Sequence, residues 1–284
     1  MQKMKLRMGV LALGLAGATA LAGCGASSSS GGNTASTKTT SSHHHKASKP
    51  AAKGTSSGGG SGASAVKGAA TLSFNAVGFL HPGQTGPTPG FGPNNDLNNA
   101  TAPKPGPYPV TAGSAKVTFY FPNVSSKSSN SILDVAYGKS ASFKVPAGKY
   151  SHLYFLAGVA SGPEPATIVL HYKGGSTSKQ VAAFDDWCTV EISHKPVPGT
   201  YPSWQGESRV LEKSGATGNV KGGTYSSPNQ GCGLYVSSVP VDKTKTLTSV
   251  DVQNTLTAVP SSLSKSITSV NKSSRINIVA VTAN

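Results

Sequence analysis

Ala166-Thr167-Ile168-Val169-Leu170-His171-Tyr172 runs into Lys173-Gly174-Gly175-Ser176, and the chain comes back as Lys179 to Phe184. Branched and aromatic side chains pack well on a pleated surface, and two adjacent glycines supply the backbone freedom a tight reversal needs, so this stretch predicts a β-hairpin. Working outward, Tyr150 to Ala157 is apolar on both alternating faces except at Ser151 and His152. It therefore reads as a central strand, with His152 expected to be a satisfied core histidine.

More strands follow at short, regular spacing. Lys116 to Phe121 alternates and stops at Pro122, and Ile132–Tyr137 with Ala141–Val145 flank Gly138-Lys139-Ser140 like the arms of a hairpin. Thr71–Val77, Ser208–Glu212, Gly233–Val239, Thr246–Val252 and Arg275–Thr282 complete the expected strands. Leu256 to Val270 is broken by Pro260 and dominated by Ser and Thr, so it carries no helical period. About ten short strands with Gly/Pro turns and no helix specify an all-β sandwich or barrel. Between Gly78 and Val110 the many prolines and glycines are expected to prevent any regular element, leaving a long candidate binding loop.

The amino-terminal part has a different character. Lys3, Lys5 and Arg7 precede an apolar run from Met8 to Leu21 that is too short for a stable membrane span and ends in Leu21-Ala22-Gly23-Cys24. This resembles the lipobox signal peptide of bacterial lipoproteins. The resemblance implies removal of residues 1–23, acyl chains on Cys24, and a location on the extracytoplasmic face of the cell membrane, where several chains anchor a protein effectively permanently. Residues 24–70, with Ser, Gly, Thr, Ala and Lys but no acid and no aromatic, cannot bury enough apolar surface to offset chain entropy. They read as a disordered tether with an r.m.s. span of roughly 35 to 40 Å. His43-His44-His45 lies within it and is not a preorganised metal site. Residues 71–284 are then one folded domain.

The chain carries 25 Lys+Arg against 10 Asp+Glu, and from Thr71 onward the balance is 17 against 10. The basic residues are scattered and match no nucleic-acid module, and export argues against DNA or RNA as partner. Acidic envelope polymers fit better. With Cys24 lipidated, Cys188 and Cys232 remain, and two cysteines of an exported domain outside any metal-ligand spacing most simply pair. Closing a loop of about 44 residues contributes roughly 4 kcal/mol by the chain-entropy estimate.

The order of pieces carries a second resemblance. Gly148-Lys149-Tyr150-Ser151-His152 opens one strand, Thr167 to Ser176 follows, then Phe184-Asp185-Asp186-Trp187, a late Val239-Pro240-Val241-Asp242 and a closing Ile276 to Thr282. Together with the opening Phe74-Asn75-Ala76-Val77-Gly78, these are similar to the galactose-binding-like modules attached to bacterial glycoside hydrolases and other surface proteins. The resemblance implies a single jelly-roll β-sandwich and transfers no ligand residue.

No Gly-x-Ser-x-Gly, His-Glu-x-x-His, phosphate loop or Cys-x-x-Cys is present. Adjacent Asp185 and Asp186 point to opposite faces of a strand, a poor acid/base pair; they are expected to cap a turn, with a structural calcium as the alternative. No other cofactor is indicated. Sugar recognition needs flat apolar faces beside amides and carboxylates, and Tyr201, Trp204, Gln205, Glu207, Tyr225 and Asn229 supply both. The same aromatics would equally serve to pin a long loop to the sandwich edge. Three functions are open: a non-catalytic carbohydrate or wall-polymer binding lipoprotein, a structural or protein-interaction accessory of the envelope, and an envelope glycoside hydrolase. If Cys188 and Cys232 are paired, alkylation of the unfolded chain adds mass at these positions only after reduction; alkylation without reductant disproves the bond.

Overall fold

The computed structural model describes residues 66–80, 95–98, 102–124, 130–187, 196–206, 208–211, 224–226 and 232–284. Among these, every regular element is a strand, in the order β1 (Phe79–Leu80), β2 (Asn95–Asn98), β3 (Gly106–Ala112), β4 (Ala115–Phe121), β5 (Leu133–Ala136), β6 (Lys139–Gly148), β7 (His152–Ala160), β8 (Glu164–Tyr172), β9 (Thr177–Phe184), β10 (Thr200–Gly206), β11 (Ser208–Leu211), β12 (Thr224–Ser226), β13 (Cys232–Pro240), β14 (Leu247–Asn254) and β15 (Arg275–Ala283). A five-stranded antiparallel sheet, β10-β13-β7-β15-β5, faces a four-stranded one, β6-β14-β8-β9. The expected all-β sandwich is therefore the fold.

The interior follows from period-two patterning. Leu153, Phe155 and Val159 of β7 meet Ile168 and Leu170 of β8, Phe184 of β9 and Val250 and Val252 of β14 in one continuous core. Phe155 and Phe184 pack edge to face across the two sheets, their centroids 5.5 Å apart. The β8–β9 hairpin forms as expected, with His171 opposite Thr177 at its tip and Glu164 opposite Phe184 at its base.

Strand β7 is central, between β13 and β15, and its second face is also buried. Tyr154, Leu156 and Ala160 pack there with Val117, Phe119 and Phe121 of β4, Leu234 and Val236 of β13, and Trp187. The two-stranded β3–β4 hairpin lies on this face, giving a third layer. That corrects the expectation of an irregular stretch to Val110. Pro107 and Pro109 sit at alternate positions of β3, exposed, so their missing N–H groups share one side of an edge strand where no ladder bond is lost.

Four further expectations change. Thr71–Val77 is not a strand but a strap that makes single bridges, Thr71 to Lys144 and Ala76 to Ile132. The Asn75 side chain occupies the free edge of β5, its Nδ2 donating to the Asp134 carbonyl at 3.0 Å and its Oδ1 accepting the Asp134 N–H at 2.7 Å. The strap begins inside the stretch assigned to the tether: Val66 and Ala69 are buried, and the Ala70 N–H donates to Val281 at 2.9 Å. Gly68 adopts φ +79°, and a side chain there would run into the Ala283 carbonyl, so only glycine fits.

β5 and β6 do not pair as a hairpin. They join opposite sheets, β5 on β15 and β6 on β14. Asn254, fully buried, ties this crossing by donating from its side-chain Nδ2 to the Val135 carbonyl at 3.1 Å and accepting the Gly138 N–H on its main-chain carbonyl at 2.7 Å. Finally, His152 is exposed at the start of β7 rather than in the core, with Nδ1 3.1 Å from Ser151 Oγ.

The opposite crossing, from β6 back to β7, is closed by Tyr150, whose hydroxyl donates to the Pro146 carbonyl at 2.7 Å. Its ring lies over Gly148, where an added methyl would stand 2.6 Å from the ring carbon Cζ. Tyr150→Phe is expected to cost about 1 kcal/mol through the lost hydrogen bond, and Gly148→Ala more, because the ring must leave its seat. Urea unfolding of the two variants checks the order; equal stability to the parent would show that this corner is dispensable.

Candidate functional site

Tyr201 and Trp204, the two candidate aromatics whose side chains are described, each pack against neighbouring residues. Both lie on β10, the edge strand paired with β13. Trp204 is half-buried with its ring 6.1 Å from Phe79, which in turn packs edge to face on Phe121. Tyr201 is half-buried against Gly113 at the β3–β4 turn, where a methyl would stand 3.0 Å from its hydroxyl. Both belong to the core beneath the hairpin. Their stretch is the edge strand β10, and both side chains pack on one side against the third layer.

Gln205 is placed by its backbone opposite Gly233, and Tyr225 by its backbone opposite Arg209. Glu207 and Asn229 lie outside the described residues, as do Cys24 and Cys188. Cys232 is buried and disulfide-bonded.

Among the described residues the acidic side chains are hydrogen-bonded or ion-paired within the fold. Asp185 is buried: its Oδ2 accepts the Val197 N–H at 2.8 Å and the Thr200 hydroxyl at 2.9 Å, and its Oδ1 accepts the Asp186 N–H at 2.9 Å. Asp186 Oδ2 accepts the Gly162 N–H at 2.8 Å. Both carboxylates thus tie turns together. Asp134 pairs with Arg275 across β5 and β15, and burial raises its pKa despite that partner.

On the outer face of the four-stranded sheet, Asp251 accepts the Ser142 hydroxyl at 2.7 Å and lies 2.8 Å from His171 Nε2. The acid stands between serine and histidine, so the histidine does not contact the hydroxyl as a nucleophile-activating base would. Burial would push the Asp251 carboxyl up, but the bonds from Ser142 and His171 and the His171 charge bring it below the usual range. Among the described residues no group of three or more His, Cys, Asp or Glu side chains converges to hold a metal.

What the fold does bring together is a pair of clefts beside the hairpin. One, of about 480 Å³, lies between Tyr108, Pro109 and Thr111 of β3 and Pro202 and Ser203 of β10. The other, of about 420 Å³, lies where Lys67 of the strap, Lys116 of β4 and Lys149 of the β6–β7 corner approach the end of β15. The two have Lys116, Val117 and Thr118 in common, so they adjoin across β4. The Tyr108 hydroxyl donates to the Ser203 carbonyl at 3.3 Å, which holds the wall of the first cleft.

Sequence reasoning missed this place. The exposed Lys116 and Thr118 were legible from strand alternation, but Lys67 and Lys149 come from a presumed tether and a turn, and nothing local marks their convergence. No family model matches the chain, and no curated protein matches it.

Glu164 is the one fully buried carboxyl with an unsatisfied oxygen among the described residues: Oε2 accepts the Asn271 N–H at 3.1 Å and Oε1 has no partner. Desolvation raises its pKa from 4.5 to about 7, with the Asn271 bond opposing. A raised acid favours folding below its unfolded pKa, and the advantage is lost as pH rises through the folded value. Stability is therefore expected to fall by roughly 3 kcal/mol between pH 4.5 and about 7 from this group alone. Glu164→Gln should flatten that decline in denaturant titrations at pH 5 and pH 8. An unchanged slope would show that the carboxyl is hydrated.

Proposed function

We propose that this chain is a lipid-anchored, non-catalytic protein of the extracytoplasmic membrane face, whose β-sandwich holds a polymer of the cell envelope. The lipobox at Leu21 to Cys24 supports the anchor, and the likeness to galactose-binding-like modules supports a binding role. The observation that carries the reading is the cleft between β3 and β10, where the phenol of Tyr108 and the rings of Pro109 and Pro202 stand beside the hydroxyls of Thr111 and Ser203. Apolar faces next to hydroxyls suit a sugar or polyol unit, and the cleft is of ligand-binding size. This moves the contact from the β10 aromatics to the neighbouring hairpin.

The hydrolase reading draws no support from the described residues, whose carboxylates at Asp134, Asp185, Asp186 and Asp251 are engaged in ion pairs, turns or cross-strand bonds, while the side chains of Asp96, Glu191, Glu207 and Glu212 lie outside them. The accessory, protein-binding reading draws support from β9, an edge strand of the four-stranded sheet on which Val181 is 42% exposed.

Two measurements test the proposal. Cells expressing the full chain should incorporate labelled palmitate into it, and Cys24→Ser should abolish the label. The full chain bearing Cys24→Ser should co-sediment with an insoluble wall polymer in a salt-resistant manner, and Thr111→Glu should reduce that retention several-fold while Val181→Glu does not. Retention lost with Val181→Glu alone overturns the cleft as the site in favour of the β9 edge, and no retention on any polymer rejects polymer binding in favour of a protein partner.

A further inference from the structure

The second cleft has a chemistry of its own. Lys67, Lys116 and Lys149 come from three separate segments, all are exposed, and no carboxylate pairs with any of them among the described residues. None of the side chains lining the cleft is acidic. Asn284, the last residue of the sequence, also borders it, and one oxygen of its main-chain carboxyl end accepts the Ser151 N–H at 2.7 Å, the His152 N–H at 3.0 Å and the Ser151 hydroxyl at 3.0 Å, which holds that group against the start of β7. The Tyr150 hydroxyl is likewise spent on Pro146, leaving the three ammonium groups, the exposed Thr118 hydroxyl and the exposed Asn284 side-chain amide as donors toward the cleft. Three cations bordering one concavity favour an anion seated among them.

The shape selects among anions. The lysine cleft adjoins the apolar and hydroxyl-lined one through Lys116, Val117 and Thr118, so a charged compartment is followed along the surface by an uncharged one. A compact anion would fill the first and leave the second empty. An extended chain in which phosphate alternates with a polyol or sugar would fill both. Lysine suits this task, since a flexible ammonium meets a phosphate oxygen without needing the planar match that arginine makes with carboxylates.

Resting on the polymer-binding reading above, we infer that Lys67, Lys116 and Lys149 form a phosphate subsite for a linear phosphodiester polymer of the envelope, whose next polyol or sugar unit lies over Tyr108 and Ser203. The cleft thereby gives the domain selectivity for phosphate-bearing chains over neutral polysaccharide. It also places the bound chain against the strap by which the tether joins the domain.

The test uses the full chain with Cys24→Ser, so that the tether lysines are constant. Binding is measured to a purified polyol-phosphate polymer, to a neutral polysaccharide, and to vesicles of mixed anionic and zwitterionic phospholipid. Lys116→Glu with Lys149→Glu is compared with Lys144→Glu plus Lys179→Glu, which changes net charge equally on the outer face of the other sheet. Thermal unfolding verifies that each variant is folded, and the milder pair Lys116→Gln with Lys149→Gln replaces the first if it is not.

The expected result is a loss of at least about tenfold in affinity for the phosphate polymer in the cleft variant, against about twofold or less in the control. Glycerol phosphate should compete with the polymer in the parent. Equal losses in both variants would overturn the subsite in favour of diffuse attraction. Binding of the neutral polysaccharide that matches the phosphate polymer and ignores the lysine changes would overturn it while leaving the polymer-binding function standing. Preference for the vesicles would overturn it in favour of membrane docking, and binding to no polymer would remove both proposals.

Discussion

Strand β7 has no solvent face, and the rest of the molecule is arranged around that constraint. A strand buried on one side needs one partner layer; a strand with Leu153, Phe155 and Val159 on one face and Tyr154, Leu156 and Ala160 on the other needs two. The four-stranded sheet supplies the first cover. The second comes from a Pro-rich hairpin that contributes Val117, Phe119 and Phe121 of β4, held at its flank by Trp204 and Tyr201. Fully burying one such phenylalanine contributes about 2 to 3 kcal/mol, so a hairpin too small to stand alone becomes a stable third layer once it has this surface to lie on.

Clefts arise where that third layer ends. A two-stranded ribbon cannot cover a five-stranded sheet completely, and its margins meet β10 on one side and the end of β15 on the other. The surface available for binding is therefore a by-product of how the second face of β7 is covered. The strap matters for the same reason. β15 has β5 as neighbour along Arg275–Ile278, and beyond that the strap takes over, with Ala69 opposite Thr282, which brings Lys67 to the rim.

The hairpin of β8 and β9, the central position of β7 and the strands β13 to β15 were legible because period-two burial and glycine turns are local signals. The third layer was not, because it rests on a relation between two distant stretches: the second apolar face of β7 and the inward residues of β4. Proline content argued against β3, and only the tertiary arrangement reveals that Pro107 and Pro109 share the unpaired side of an edge. The apparent hairpin at Gly138 failed for a similar reason. A short glycine turn joins paired strands and a sheet-to-sheet crossing equally well, and Asn254, far along the chain, decides between them. The aromatics of β10 were correctly noticed but their role was undetermined, since a sugar platform and a packing anchor use the same residue types.

The charge balance takes a different meaning once burial is known. Each of the six acids whose side chains are described is bound within the fold: Asp134 to Arg275, Glu164 to Asn271, Asp185 and Asp186 to turns, Asp242 to Thr244 and Lys245, and Asp251 to Ser142 and His171. The lysines of the same residues are all exposed. Four of these acids, Asp134, Glu164, Asp185 and Asp186, are buried or half-buried where segments join, whereas Asp242 and Asp251 stand at the surface beside Lys245 and His171. Screening over about 8 to 10 Å weakens isolated surface lysines, and only where several approach one concavity does the attraction become local and selective. The seam between strap, hairpin and β6–β7 corner meets that condition.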